Sequence, residues 1–515
     1  MNVKRWGSVK TENARRASAE VSRSGHQART PRRLRAPALA NPIADLRREF
    51  AEQGFQRIGG GRVVPGNRLR VLRDARENYP AWIAAIESAR RTIHLEMYIV
   101  HDDATGRRFR DLLVARARAG VTVRVLYDWF GSLRLVGRGF WAPLREVGGE
   151  VRVANPPSLD SVLGWVSRDH RKLLAIDGTE AFISGLCIGD AWVGDPARGI
   201  APWRDTGVQL VGPAVADAEA AFAGAWALAG SPIAPAELPS HESIPAAGSV
   251  TLRVIASAPE TTELYRMDLL VAVAARERLW LTDAYFLATP PYRQALRSAA
   301  LDGVDVRLLV PHASDIEWIA NVSRTMYRSL LEAGVRVYEW NGPMVHAKTA
   351  VADERWTRIG STNLNVSSWL GNWELDVCIE DEGTARETAE MFLDDLRNAT
   401  EVVITPRNKI RPDGPAPQTP SELGSSSRAL RDAARMGSVL GAAVKGHRTL
   451  EGGESRSLVT FAGLLLVLAL VAVLLPRLIA YPVAALSGVT AGLLLLKVVR
   501  LRRGRRRQAD QAAEG

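Results

Sequence analysis

The sequence predicts two similar α/β lobes in tandem, forming one bilobal body, with a transmembrane helical hairpin after them. Three observations predict it. From Gly66 to about Val403 apolar, strand-like runs alternate with helical patterns, the rhythm of a mostly parallel α/β sheet. Within that stretch the chain repeats itself. Beyond it lie two uncharged segments, Ser457–Leu475 and Leu478–Leu496, each long enough to cross a bilayer core at about 1.5 Å per residue.

At 515 residues, 46% hydrophobic and 24% charged, the chain is globular and too long for one ordinary core. Its formal charge of +11 is concentrated at the ends. Residues 1–36 carry ten Lys/Arg against Glu12 and Glu20, and residues 497–515 carry seven against Asp510 and Glu514. The body between is therefore close to neutral, which argues against a nucleic-acid groove. Two cysteines, Cys187 and Cys378, exclude a disulfide scaffold, and no Cys/His spacing suits zinc.

In chain order, residues 1–40 are rich in Arg, Ser and Ala with no apolar run, so they are a basic arm and not a secretory signal. Residues 41–235 and 236–405 are the two lobes. Ile93–Tyr98 is echoed by Leu279–Tyr285, Ala119–Leu126 by Asp302–Leu309, and Val151–Val153 by Val335–Val337. Each lobe thus runs strand, helix ending in Gly, strand, second helix, third strand. Residues 406–456 open with a Pro/Gly/Ser-rich run and form a linker. In 457–496 the connector between the two apolar segments is only Pro476-Arg477, which makes them an antiparallel pair of transmembrane helices. The tail 497–515, opening KVVRLRRGRRR, anchors the exit on the cytoplasmic side, and a hairpin that crosses twice leaves the large body on that same side.

The third strand of each lobe leads into His170-Arg171-Lys172 with Asp177, and into His346-Ala347-Lys348 with Asp353. Both obey H-x-K-x4-D, and each is followed by a small-residue turn, at Ser184-Gly185 and at Gly360-Ser361. Alternation puts His and Lys of each motif on one strand face. Two such pairs gather two imidazoles and two ammonium groups at one point. The lysines, with Ser361 and Asn363 as neutral donors, suit the oxygens of a phosphoryl group and the charge of its transition state. One His can attack phosphorus and form a phosphohistidine, while the other protonates the departing alcohol and deprotonates the incoming one. No metal and no cofactor is called for. Asp177 and Asp353 belong to the catalytic motif, but an Asp at that place is by itself a turn former. Asp205, in Trp203-Arg204-Asp205, and Glu374, in Asn372-Trp373-Glu374, are the candidates to orient the histidines.

These residues carry a resemblance. From about 66 to 403 the chain resembles a bacterial cardiolipin synthase of the phospholipase D superfamily, in the doubled motif and in LEMYIVHDD, GVTVRVLYD, HRKLLAIDG, WRDTGVQLVGPAV, TDAYFLATP and GSTNLN. The resemblance implies phospholipase D-type α/β/α lobes with the active site between them. It implies transfer of a phosphatidyl group from phosphatidylglycerol to a second phospholipid, with His170 as nucleophile and His346 as general acid and base. Phosphatidylethanolamine is a further candidate substrate, the bacterial inner membrane the expected location, and nucleic acid is not expected as a partner. Cys187 stands where the pattern has Asn. The motifs do not choose between transfer to a lipid alcohol and hydrolysis by a phospholipase D, since acceptor choice lies in the pocket walls. An inert, membrane-tethered lipid-binding protein is the third reading, motivated by Cys187.

Overall fold

The computed structural model describes residues 60–135, 139–156, 167–259, 261–404 and 410–412. The basic arm, most of the linker, the apolar pair 457–496 and the basic tail lie outside these residues. Among the described residues no helix is long and apolar enough to cross a membrane.

The N-terminal half runs β1 (Val64–Arg73), α1 (Asp74–Ser88), β2 (Thr92–Met97), α2 (Ala104–Arg118), β3 (Thr122–Asp128), α3 (Ala142–Glu146), β4 (Glu150–Ala154), β5 (Lys172–Ile176), β6 (Glu180–Ser184), α4 (Asp190–Val193), β7 (Thr206–Val211) and α5 (Val215–Leu228). The C-terminal half runs β8 (Val250–Ser257), α6 (Glu263–Ala274), β9 (Arg278–Thr282), α7 (Pro290–Leu301), β10 (Asp305–Pro311), α8 (Glu317–Leu331), β11 (Arg336–Trp340), β12 (Thr349–Ala352), β13 (Trp356–Gly360), β14 (Glu374–Glu380), α9 (Glu382–Leu396), β15 (Ala399–Ile404) and β16 (Ile410–Pro412). Helix starts follow local chemistry. The Asp103 carboxylate accepts from Gly106 N at 2.8 Å, the Asp381 carboxylate from Thr384 N at 2.7 Å, and Thr289 caps α7 just before Pro290.

Strand order is β4-β3-β2-β5-β6-β7-β1 in one half and β11-β10-β9-β12-β13-β14-β8 in the other, so the duplication read from the sequence is a duplicated sheet. The halves join edge to edge where β1 meets β8, through an irregular pairing at Val64↔Leu252 and Asn67↔Val250. The expectation of a mostly parallel sheet is corrected. Only the β2-β3-β4 and β9-β10-β11 ladders are parallel, and the remaining pairings are antiparallel. Part of the reversal is local, in the tight turn that closes each motif and folds β5 back as β6 and β12 back as β13. Asp177-Gly178 and Asp353-Glu354 all have positive φ, the geometry that sends a strand straight back beside itself. The linker is also corrected at its start: residues 410–412 form β16, paired antiparallel to β15 at the sheet edge.

Each half has its own core beneath its helices, and a third apolar layer lies between the halves. There Ile183, Val208 and Leu210 from one sheet meet Ile359, Leu375 and Val377 from the other. All six are fully buried, each contributing about 1.5–3 kcal/mol. Charged pins cross the same junction. Buried Arg204 bonds Asp395 at 2.8 Å and Asp74 at 3.2 Å, and the Arg171 guanidinium donates to the carbonyls of Glu374, Ala221 and Ser257.

Candidate active site

Both motifs stand at the C-terminal edge of a parallel ladder. Lys172, first residue of β5, pairs with Met97, last residue of β2, and Lys348 immediately precedes β12, whose Thr349 pairs with Thr282 at the end of β9. The x4-D spacing is the length of a strand: five residues, Lys172–Ile176, lead from the catalytic end to the turn at Asp177. That separates Asp177 and Asp353 from the chemistry. The Asp177 carboxylate accepts from the backbone N–H groups of Arg90, Arg91 and Thr92, and Asp353 from those of Arg276, Glu277 and Arg278. Their place in the catalytic motif is thus corrected to a structural one: each ties its turn to the start of a neighbouring strand.

The two motifs are brought together by a pair of matching backbone bridges. His170 N donates to Trp373 O at 2.9 Å and Trp373 N to Arg168 O at 2.8 Å. In the other direction, Arg204 N donates to Met344 O at 2.9 Å and His346 N to Arg204 O at 2.7 Å. Each bridge delivers a carboxylate to the histidine of the opposite half. Glu374 Oε2 lies 2.9 Å from His170 Nδ1, and Asp205 Oδ2 lies 2.7 Å from His346 Nδ1. Sequence order, which sets Asp205 after the first His and Glu374 after the second, does not show this exchange.

Burial would raise both carboxyls, but the histidines, the lysines and further donors hold Asp205 and Glu374 below the usual range. Both therefore stay ionised and accept a hydrogen bond from Nδ1–H, leaving each Nε2 lone pair for chemistry. Burial, with the neighbouring lysine charges, pushes His170 down to about 4 and His346 down to about 3. The lysines are themselves buried, each 1% exposed, and each ammonium donates to the carbonyl of its own motif histidine. Burial and the charge of Lys172 bring Lys348 down to about 8. Two ammonium groups so placed form a site for an anion.

Several supporting residues differ from expectation. Ser361, expected to face phosphate, instead donates its hydroxyl to Glu374 Oε2 at 2.5 Å and accepts from Leu375 N at 2.9 Å, so it holds the carboxylate. At the matching place in the N-terminal half stands Gly185, where an added Cβ would lie 2.2 Å from Asp205 Oδ1. Asp205 approaches the backbone too closely for a side chain there, and its second donor comes from elsewhere: Trp192 Nε1 donates to Oδ2 at 3.0 Å. Asn363 is buried, and its amide oxygen has no partner among the described residues. Cys187 is fully buried, with its thiol pushed up by burial and so kept protonated.

Sequence reasoning missed Trp192, Tyr98 and Tyr285. Tyr98 sets its edge on His170 at 4.8 Å with Lys172 Nζ 5.0 Å from its ring, and Tyr285 does the same for His346 at 5.8 Å with Lys348 Nζ at 5.7 Å. The repeated segments ending in these two tyrosines carried the signal. Trp192 had none. Among the described residues no cluster of three or more His, Cys, Asp or Glu is placed to hold a metal ion.

Residues 272–396 match a family model described as cardiolipin synthase, phospholipase D-like domain. The chain is 34% identical over 360 residues to cardiolipin synthase A of Pseudomonas fluorescens (strain SBW25), spanning 68% of this chain and 73% of that one. It is 32% identical over 388 residues to cardiolipin synthase A of Pseudomonas syringae pv. syringae (strain B728a), spanning 73% and 78%. Among solved structures, the phosphatidylserine synthase of Haemophilus influenzae Rd KW20 aligns with a TM-score of 0.55 at 15% identity, over 69% of this chain and 92% of that one. That likeness is one of fold.

Proposed function

The chain belongs to the bacterial cardiolipin synthase family of the phospholipase D superfamily, and from that premise we propose that it transfers a phosphatidyl group from phosphatidylglycerol to a hydroxyl of a second phosphatidylglycerol. It is a phosphatidyltransferase of the phospholipase D type. The observation that carries the detailed reading is the exchanged pair of carboxylates: two neutral histidines, each fixed through Nδ1 by the opposite half, face two buried ammonium groups.

In the first step His170 Nε2 attacks phosphorus, the N–P bond forms, the O–P bond to glycerol breaks, and protonated His346 gives that oxygen its proton. Lys172 and Lys348 hold the non-bridging oxygens and stabilise their growing charge. In the second step a hydroxyl of the acceptor lipid attacks phosphorus, its proton passes to His346, and the N–P bond to His170 breaks. The phosphodiester anion between the lysines opposes the field that depresses His346 and so raises it toward the protonated form that the first step uses. The reading extends to the membrane: the apolar pair 457–496 anchors the chain, and the basic tail keeps the body on the cytoplasmic face.

The test is incubation of the purified full chain with phosphatidylglycerol vesicles and mass spectrometry of the lipids. Cardiolipin with an equal release of glycerol is expected. Phosphatidic acid as the sole product would replace the transferase with a hydrolase.

A further inference from the structure

The acidic side chains around the site are nearly all spoken for. Asp205 and Glu374 hold the histidines. The Asp128 oxygens are taken by the N–H groups of Phe130, Gly131 and Asp169, and those of Asp283 by Leu364 and Tyr285. Glu96 has two oxygens without a hydrogen-bond donor among the described residues, but it is fully buried beside Asp169 and Arg171. Asp315, in the loop between β10 and α8, is the one that is partly exposed. It is half-buried, and its Oδ1 accepts from the Tyr285 hydroxyl at 2.8 Å and from Ser314 Oγ at 3.4 Å. Both of these side-chain donors sit on Oδ1, and the residue's own backbone N–H is a further donor to the carboxylate.

The link to the reaction is Tyr285. One edge of its ring lies against His346, its face is near Lys348, and its hydroxyl touches Asp315. His346 is the group that meets the departing and the incoming alcohol oxygen, so Asp315 lies one tyrosine ring from that oxygen. A carboxylate there repels the phosphodiester and is poorly placed to hold it. It suits a group that donates hydrogen bonds and is carried on the same carbon skeleton as the reacting alcohol oxygen. The N-terminal half has no counterpart, because Asp128 is closed off by three backbone N–H groups. The asymmetry gives the alcohol side to the half that carries His346.

We propose that Asp315, held by Tyr285, is a specificity-determining residue that accepts a hydrogen bond from the non-reacting hydroxyls of a polyol head group. This rests on the transferase reading above and names the chemistry of its acceptor. The departing glycerol and the glycerol head group of the incoming lipid then use the same contact, since both pass His346. A hydrogen bond to a charged acceptor discriminates against an alcohol lacking the hydroxyls by about tenfold or more.

The experiment gives the full chain phosphatidylglycerol vesicles with equal concentrations of deuterium-labelled glycerol, propan-1-ol and ethanolamine, and measures the phosphatidyl product of each by mass spectrometry, the label separating new phosphatidylglycerol from the donor. The product ratio reports on one shared intermediate and is independent of how much protein is folded. The unaltered chain is expected to favour glycerol over propan-1-ol, and Asp315→Ala to reduce that ratio about tenfold. Asp315→Asn, which keeps an acceptor without the charge, and Tyr285→Phe, which keeps the ring without the hydroxyl, are expected to fall between. A ratio unchanged in Asp315→Ala overturns the inference and leaves the transferase standing. Preference for ethanolamine, lost in Asp315→Ala, overturns it in favour of an ammonium site. Phosphatidic acid alone from the unaltered chain overturns the transferase and this inference with it.

Discussion

In the C-terminal half a serine hydroxyl steadies the carboxylate that orients a histidine; in the N-terminal half an indole N–H does the same work from a different place. Glu374 Oε2 is shared by His170 and Ser361, and Asp205 Oδ2 by His346 and Trp192. Glu374 has one more methylene than Asp205 and reaches its histidine with room for Ser361 beside it. The shorter Asp205 comes so close to the backbone that its neighbour is Gly185, and its second donor arrives from α4. The halves thus keep one sheet and one His-Lys pair while differing in support. Because each carboxylate serves the other half's histidine, neither half holds a complete site.

The largest expected effect separates the roles of the two histidines. His170→Ala and His346→Ala should both lower turnover by about 10⁴-fold or more. After a rapid denaturing quench, phosphatidyl label should remain on the His346 variant and be missing from the His170 variant. Equal labelling of the two would make the halves interchangeable in mechanism.

Next come the carboxylates. Asp205→Asn and Glu374→Gln keep shape but can present an N–H to the histidine, and each should cost about 10³-fold in kcat. The exchange between halves predicts that Glu374→Gln slows the attack that forms the labelled intermediate, and that Asp205→Asn, acting through the proton donor and acceptor His346, also slows its discharge. Single-turnover kinetics would show the reverse if each carboxylate served its own half.

Ser361→Ala and Trp192→Phe remove the second donor and should each cost about tenfold, on the same two steps. Copying the serine across should fail. Gly185→Ser forces a Cβ against Asp205 and should lower the melting temperature, which calorimetry reads directly.

A smaller effect is set by pH. Lys348, lowered from 10.5 to about 8, is charged below that pH and neutral above it. Its hold on phosphate is therefore lost as pH rises, and kcat/KM should fall above about pH 8, with the limb moved upward in Lys348→Arg. An alkaline limb unmoved by that variant would assign it to another group.

The smallest effect on activity belongs to the motif's own aspartates. Asp177→Ala and Asp353→Ala leave three backbone N–H groups without their acceptor and should cost about 1–3 kcal/mol of stability. Turnover per folded molecule should be nearly unchanged, and a loss of 10³-fold would return them to the catalytic set.

The sequence by itself determined the duplication, the two His-x-Lys pairs and the place of the turns, because each is local. A strand of fixed length separates Lys172 from Asp177, and alternation sets which side chains share its face. It also carried Tyr98 and Tyr285 in matching segments. Direction of pairing was not local: βα alternation suggested a mostly parallel sheet, the turns at Asp177 and Asp353 reverse β5 into β6 and β12 into β13, and the other antiparallel pairings join strands that those turns do not connect. Tertiary structure alone decided which carboxylate meets which histidine. That pairing depends on two bridges, near Trp373 and Arg204, between segments about 200 and about 140 residues apart in the chain, and backbone hydrogen bonds of that kind leave no side-chain pattern. It likewise decided that Ser361 faces Glu374 and that Trp192 reaches Asp205, since a donor's partner is set by where two distant segments pack and not by its neighbours in sequence.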